Sequence, residues 1–315
     1  MTVLSLLFAS LVTVAYPRAG QMMPSVARTY MIGSVSSDIT NLVIAGETVL
    51  PYRTGAWATS VPLAEGMNEI QLVWQTSMET GTNVFTLTVP YKSKVYPKLS
   101  YAKDVPTISS VTNSPAETVI YLDPGHGGSD SGAISPHGWF EKDANLALAL
   151  ATAERLRLRG YQVKMTRDDD RAIDLYERAR AAHHEGAAAF VSIHHNAPNC
   201  EADPFQRYSC VYAWNALGDP LARAIADSLA DGAGEPLASR GALRANFAVT
   251  RSPEIASCLV EADFISAPAG EEASFDPLRQ AERARAIAAG IDAWHRQVVD
   301  SLKKTDCEGP YSPRK

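Results

Sequence analysis

The sequence lacks two features that would each assign the protein to a broad class. It has no apolar run long enough to span a bilayer, since its most apolar stretch, residues 3–15, is shorter than the roughly 20 residues that a spanning helix needs. It also has no excess of positive charge, because 29 Lys and Arg stand against 35 Asp and Glu, for a net charge of -6. We therefore expect neither a membrane span nor a nucleic-acid partner.

Cysteine is also scarce, with four residues in a chain of 315. Their spacing matches no zinc-finger pattern, so any bound metal must be held by histidines and carboxylates. Cys200 and Cys210 flank a polar loop and would form a disulfide if the protein is exported to an oxidising compartment. Two free thiols are the alternative that the sequence leaves open.

The N-terminal segment resembles a secretory signal. Residues 3–15 form an apolar core, and Thr13-Val14-Ala15 supplies small residues for cleavage, although no Lys or Arg precedes Arg18. We therefore predict a signal peptide over residues 1–20 and export to the periplasm or the cell exterior. A buried N-terminal strand or helix is the alternative.

The chain then divides into two predicted domains. Residues 26–92 contain short runs of strand-forming residues separated by turn signals such as Thr54-Gly55, which is typical of a small all-β sandwich. Residues 93–116 carry three prolines with many Ser and Thr and no sustained periodicity, which indicates a linker. With 46% hydrophobic and 20% charged residues, the chain can bury a core in each domain.

Residues 117–300 alternate strands with helices, which predicts an α/β domain with a mostly parallel sheet and helices on both faces. The predicted strands are 119–122, 162–166, 187–193, 210–214, 247–250 and 258–260, and the predicted helices are 146–158, 175–185, 220–230 and 278–298. A polar tail, residues 301–315, follows this domain.

Two histidines and one glutamate follow predicted strands of this domain. His126 lies in a glycine-rich turn after the first strand, His194 ends the third, and Glu261 ends the last, so all three should lie at one edge of the sheet. With Glu141, predicted on the same loop as His126, the histidines can supply three ligands and leave the open fourth position of a catalytic zinc site. Zinc makes hydroxide available at neutral pH, and amide hydrolysis also needs a proton-transfer group, for which Glu261 is the candidate.

Several short motifs occur in order along this domain. They are Asp123-Pro124-Gly125-His126-Gly127-Gly128, Gly132-Ala133, Glu141-Lys142, Thr166-Arg167, Ser192-Ile193-His194 and Leu259-Val260-Glu261. Together, over about residues 119–291, they resemble the zinc-dependent N-acetylmuramoyl-L-alanine amidases often called amidase family 3. The resemblance implies that His126, Glu141 and His194 bind one Zn²⁺ and that Glu261 is the catalytic carboxylate. It also implies cleavage of the peptidoglycan amide between the lactyl group of N-acetylmuramic acid and L-alanine.

Two positions depart from the family pattern. His195 stands where the family usually has a small residue, and Asp263 stands where glycine or alanine is common. We predict His195, Asn196 and Arg251 as substrate contacts. His195 is alternatively a metal neighbour or a tolerated change, and Arg251 alternatively pairs with an acidic residue, a structural role that we favour.

Cell-division members of the family carry a long helical insertion that blocks the zinc site until a partner displaces it. Residues 196–243 here contain only the cysteine-flanked loop, one predicted strand and one predicted helix, so we expect an open site that needs no activator. Two other functions stay open at this point. One is another zinc amide hydrolase, a deacetylase or a peptidase, and the other is a non-catalytic protein that binds the cell wall.

Overall fold

The computed structural model describes residues 11–23, 26–89, 111–198, 203–232, 237–252 and 254–307. Most of the predicted linker, the first ten residues of the predicted signal peptide and Cys200 lie outside these ranges.

The N-terminal domain is an all-β sandwich, as predicted. Its strands are β1 (Val12–Tyr16), β2 (Arg28–Val35), β3 (Asn41–Ile44), β4 (Glu47–Thr48), β5 (Ala56–Pro62), β6 (Gly66–Gln75) and β7 (Thr80–Val89). They form one sheet in the order β1-β2-β5 and a second in the order β4-β3-β6-β7. Leu42, Trp57, Leu72 and Leu87 are fully or almost fully buried in the core between the sheets, because alternate side chains of each strand face inward.

Strand β1 lies within the segment predicted as a signal peptide. It pairs antiparallel with β2, from Val12 opposite Val35 to Tyr16 opposite Ile32. This arrangement corresponds to the alternative of a buried N-terminal strand, and cleavage after Ala15 would remove most of β1. The signal peptide itself stays a prediction.

The second domain has a six-stranded sheet. Its strands are β8 (Val119–Pro124), β9 (Gln162–Met165), β10 (Ala189–Asn196), β11 (Ser209–Ala213), β12 (Ser239–Arg244) and β13 (Ala256–Phe264). The order is β12-β11-β13-β10-β8-β9. The last four of these strands are parallel, whereas β11 and β12 run in the opposite direction. The predicted mostly parallel sheet is therefore confirmed.

Helices cover both faces of this sheet, as predicted. They are α1 (Glu141–Arg157), α2 (Leu175–His184), α3 (Asp219–Gly232), α4 (Pro268–Phe275) and α5 (Pro277–Cys307). Neighbouring residues of β8 point to opposite faces: Ile120 packs in the core that contains Leu148 of α1, and Tyr121 in the core that contains Ala182 of α2. Helices α3 and α5 join α1 on the first face. Among the described residues, no helix combines the length and apolar composition needed to cross a bilayer.

Five details of the secondary structure of this domain differ from the predictions. Glu141 is the first residue of α1 rather than part of a loop. Part of the predicted strand 247–250 is a 3-10 turn, Ala248–Thr250, and β12 and α4 were not predicted. Strand β12 has no buried residue, and α4 has only eight residues, so neither has a sustained hydrophobic period. Helix α5 also continues to Cys307, into the predicted polar tail.

The two domains are in contact beside the chain segment that joins His126 to Glu141. Ring atoms Nε2 and Nδ1 of His137 lie 3.2 Å from the carbonyl oxygen of Thr54 in the β-domain and 2.7 Å from Oε2 of Glu271 in α4. The guanidinium of Arg53 pairs with the carboxylate of Glu272 at 2.7 Å. The β-domain therefore supports the segment that carries two of the predicted ligands.

Candidate functional site

His126 lies in a tight turn at the carboxyl end of β8. Its φ of 62° is in the left-handed region, which costs a residue other than glycine about 1 kcal/mol or more. Arg178 holds the turn in place, since its guanidinium donates to the carbonyl oxygens of Pro124 at 2.9 Å and His126 at 2.8 Å.

Asp123 anchors the same turn from inside the sheet. This fully buried carboxylate accepts hydrogen bonds from Arg178 at 2.8 Å, from the hydroxyl of Thr166 at 2.7 Å and from the hydroxyl of Ser192 at 2.6 Å. A buried charge with this many donors is satisfied, so Asp123 serves to fix β8 against β10 and is not free for chemistry.

The structure brings the three predicted ligands together from three elements. Oε2 of Glu141 lies 3.2 Å from Nε2 of His126, and its Oε1 lies 3.0 Å from Nδ1 of His194 at the end of β10. One ligand atom from each residue falls within 4.8 Å of the others. The backbone N–H of Ala133 donates to Oε2 of Glu141 at 2.8 Å, which orients the carboxylate.

Two glycines leave the space that this cluster needs. A Cβ atom at Gly125 would lie 2.1 Å from the ring of His194. A Cβ at Gly132, whose φ is +64°, would lie 2.6 Å from both Oε2 of Glu141 and Cδ2 of His126. Contacts this short do not occur between real side chains, so the cluster requires glycine at both positions.

The electrostatics of the cluster favour a positive charge between its members. Burial disfavours the charged form of His126, but hydrogen bonds to Glu141 and Asp130 outweigh this effect and raise its pKa to about 9. Burial alone would raise the pKa of Glu141, yet hydrogen bonds with His126 and His194 hold that pKa well below its usual range. A divalent cation bound to the same nitrogen and oxygen atoms would supply this charge in place of protons.

Glu261 lies next to the cluster on the neighbouring strand. In the parallel pairing of β10 with β13, Glu261 is the register partner of His194. Its Oε2 is buried and has no hydrogen-bond partner. Burial, together with the charge of Glu141, raises the pKa of Glu261 well above its usual range. A carboxyl group in this environment is suited to exchanging protons near neutral pH.

All four residues line one open cavity of about 540 Å³. Apolar side chains form much of the remaining wall, among them Ile173, Leu175, Phe247 and Leu259. The cavity lies at the carboxyl ends of the parallel strands, the edge where α/β sheets bind ligands.

The three predicted substrate contacts lie in different environments. Asn196 lines the cavity. His195 also belongs to the cavity lining, but its ring is almost fully buried, with Nδ1 2.8 Å from Oδ1 of Asn145. Burial, with a contribution from the charge of Arg283, lowers the pKa of His195 to about 3. Arg251 is exposed and donates to Oδ1 of Asn246 at 2.7 Å, and it is not among the residues that line the cavity.

The disulfide between Cys200 and Cys210 stays a prediction. Cys210 carries a free thiol that is fully buried in β11, and burial raises its pKa to about 11. Cys200 lies outside the described residues.

Sequence reasoning did not single out two polar residues that contact the predicted ligands. Oδ2 of Asp130 lies 2.8 Å from Nδ1 of His126, and Nδ2 of Asn145 donates to Oε1 of Glu141 at 3.1 Å. Metal-binding histidines usually have a second hydrogen-bond partner of this kind. Each supporting residue stands four positions after its ligand, and within helix α1 that spacing brings two side chains onto one face.

The departure at Asp263 is accounted for by a buried ion-pair cluster. Its carboxylate pairs with Arg207 at 2.6 Å and with the buried guanidinium of Arg283. Asp263 is two residues after Glu261, so the cluster fixes the end of β13 from the inside.

Comparison with known proteins gives the domain a family. Residues 120–293, more than half of the chain, match the family model described as N-acetylmuramoyl-L-alanine amidase. The amidase AmiC of Neisseria meningitidis is 33% identical over 220 residues, a match that covers 56% of this chain and 52% of AmiC. The amidase AmiA of Escherichia coli is 30% identical over 223 residues, covering 56% of this chain and 76% of AmiA. The match thus spans about half the length of AmiC.

Solved structures agree with this assignment. The amidase AmiC2 of Nostoc punctiforme is 32% identical with a TM-score of 0.54, covering 57% of this chain and 97% of that chain. The catalytic domain of the amidase CwlV of Bacillus (Paenibacillus) polymyxa var. colistinus is 31% identical with a TM-score of 0.53, covering 56% of this chain and 97% of that chain. On the family match, the relatives and the fold together, the chain belongs to the N-acetylmuramoyl-L-alanine amidase family.

Proposed function

We propose that this protein uses one Zn²⁺, held by His126, Glu141 and His194, to hydrolyse the amide between N-acetylmuramic acid and L-alanine in peptidoglycan. The observation that carries the proposal is the convergence of three ligand atoms within 4.8 Å, at a cavity that Glu261 also lines. Two imidazoles and a carboxylate are a common ligand set of catalytic zinc.

The donor geometry fits such an ion. Nδ1 of His126 is occupied by Asp130 and Oε2 of Glu141 by the N–H of Ala133, so both ligands are oriented before a metal arrives. When bound, zinc would lower the pKa of its water to about 7 and polarise the substrate carbonyl.

Glu261 would perform the proton transfers. Its carboxylate takes a proton from the attacking water, and the resulting carboxylic acid donates that proton to the leaving nitrogen of L-alanine. A buried carboxylate oxygen without a partner is costly to a fold, so its retention beside the ligands supports a catalytic role over a structural one.

The cavity wall would orient the substrate. The lactyl group and L-alanine each carry one methyl group, and the apolar surface of Ile173, Leu175 and Phe247 can receive these methyls. Asn196 is the polar residue of the wall that we propose to bond the substrate amide. Arg178, also in the wall, already donates to Asp123, Pro124 and His126 and therefore serves the turn.

Two predictions about the cellular setting follow from this proposal. Because the substrate is a cell-wall polymer, the protein must be exported to act on it. The second prediction is that no activator is needed. The helix predicted within residues 196–243 is α3, and it packs with α5 on the sheet face that α1 also covers. This position supports a site that is open without an activator, and activity of the purified protein alone would test it.

The function is tested by digesting purified peptidoglycan with the purified protein, with and without a zinc chelator, and identifying the new chemical ends. We expect free L-alanine amino termini that disappear with the chelator. New glucosamine amines would indicate a deacetylase, other peptide ends a peptidase, and binding without release a cell-wall-binding protein.

A further inference from the structure

The amide of Asn145 lies between Glu141, a proposed zinc ligand, and His195. Its Nδ2 donates to Oε1 of Glu141 at 3.1 Å and to the carbonyl oxygen of Gly125 at 3.3 Å. Its Oδ1 lies 2.8 Å from Nδ1 of His195. Asn145 is fully buried and His195 almost so, so these bonds are largely shielded from bulk solvent.

The neighbours of Asn145 determine which way its amide points. Glu141 and Gly125 both present oxygen atoms, which accept hydrogen bonds, so the NH₂ group must face them. A flipped amide would place Oδ1 against a carboxylate and a carbonyl. The oxygen therefore faces His195, and Nδ1 of His195 must carry the hydrogen that bonds it.

The other ring nitrogen of His195 gives the same assignment. Nε2 is buried and has no hydrogen-bond partner. A hydrogen on Nε2 would be an unsatisfied buried donor, whereas a bare nitrogen there is less costly. The neutral ring with hydrogen on Nδ1 therefore agrees with the surroundings of both ring nitrogens.

The backbone of His195 reaches the same carboxylate. The pairing of β10 with β13 is irregular between His194 and Asn196, and at this point the N–H of His195 donates to Oε1 of Glu141 at 3.2 Å. One residue therefore contacts Glu141 directly through its backbone and indirectly through the side chain of Asn145.

We propose that His195 is a positioning residue that locks the amide of Asn145 and thereby holds the Glu141 carboxylate in the orientation that binds zinc. The proposal rests on the proposed zinc site. We propose this role for His195 in place of the predicted substrate contact. His194 would then bind zinc, whereas His195 would hold Glu141 in position.

Matched variants test the proposal. In His195→Asn the side-chain NH₂ takes the position of Nδ1, whereas in His195→Gln it lies near Nε2, where no acceptor is present. Zn²⁺ affinity, measured by chelator competition, should fall roughly 10- to 100-fold in His195→Gln and stay within about threefold of the original in His195→Asn. The double variant Asn145→Leu/His195→Gln should lose no more Zn²⁺ affinity than the more strongly affected of the two single variants, because both residues act through the same contact with Glu141.

The outcomes separate this proposal from the proposed function. If the unaltered protein binds no zinc, the proposed function fails. If it binds zinc and His195→Gln binds equally well, or if His195→Asn loses as much as His195→Gln, the positioning role fails alone. Nitrogen-15 NMR of the unaltered protein gives a readout that needs no variant: we expect hydrogen on Nδ1 of His195, and hydrogen on Nε2 would overturn the proposal.

Discussion

Replacing Glu261 with glutamine separates the proposed proton transfer from metal binding. Glutamine has almost the same shape but cannot accept the proton of the attacking water. The residue is not among the three proposed ligands, and its backbone stays paired with His194 on β10 and Cys210 on β11. We therefore expect Glu261→Gln to fold and to keep its zinc.

The expected loss of turnover follows from the cost of removing a general base and acid. Positioned proton transfer contributes about 10²- to 10⁴-fold, or roughly 3 to 5 kcal/mol of barrier. We expect the rate of L-alanine release from peptidoglycan to fall by a factor in this range. Zinc content, measured on the same sample by mass spectrometry, should stay at one ion per chain.

The same substitution should stabilise the metal-free protein at neutral and alkaline pH. Because the folded-state pKa of Glu261 is raised, its favourable contribution is present below the ordinary value of about 4.3 and is lost as pH rises through the raised value. Glutamine does not ionise and avoids this loss. The stability gain over the original protein should thus be small at about pH 4 and increase towards pH 8, by at most about 1.4 kcal/mol for each unit of the shift.

Glu177→Gln, on the exposed face of α2, is the matched control and should change neither turnover nor the pH dependence of unfolding. Near-normal turnover of Glu261→Gln with zinc bound would show that another group is the base. Loss of zinc from the variant would instead show that Glu261 is a metal ligand.

Three further predictions concern the metal centre and the domain contact. Zn²⁺ affinity should rise about tenfold per pH unit between about 7 and 9, because His126, with its pKa near 9, must release a proton when metal binds. Above that pKa the affinity should level off, and Asp130→Asn should move the start of this plateau to lower pH. An affinity that does not change with pH in chelator competition would contradict the proton release. Gly132→Ala should weaken Zn²⁺ binding by about tenfold or more, because its Cβ would collide with two ligands, whereas Gly138→Ala has open space at a similar φ and serves as the control; equal affinities would refute this reasoning. His137→Ala should cost roughly 1 to 3 kcal/mol in urea unfolding, because it removes the ring's bond to a buried carboxylate, and a change below about 0.5 kcal/mol would show that this contact does not stabilise the fold.

The elements with a strong hydrophobic period were predictable. The strand that precedes His126 and the strand that carries His194 are mostly apolar runs, and both lie in the interior of the sheet. Strand β12 lies at the sheet edge without a buried residue, so its existence depends on pairing with β11. The same limit explains the missed strand β1, whose apolar residues equally fit a signal peptide.

The candidate site, like the fold, was predictable only in part. Ordered motifs named the proposed ligands and Glu261, and His126, His194 and Glu261 also stand at or just after a strand. The tasks of His195 and Arg251 could not be assigned in the same way. Side-chain surroundings decide such roles, and these surroundings come from α1 in the first case and from Asn246 in the second.

By itself, the sequence determined the two domains, the alternation of strands and helices, and the residue types that zinc requires, because local periodicity and chemical identity are written along the chain. The tertiary structure alone decided that Oε2 of Glu261 is buried without a partner, that Asn145 joins His195 to Glu141, and that the β-domain contacts the segment around His137. Burial and hydrogen bonding depend on residues far apart in sequence, and only folding brings those residues within a few ångströms of one another.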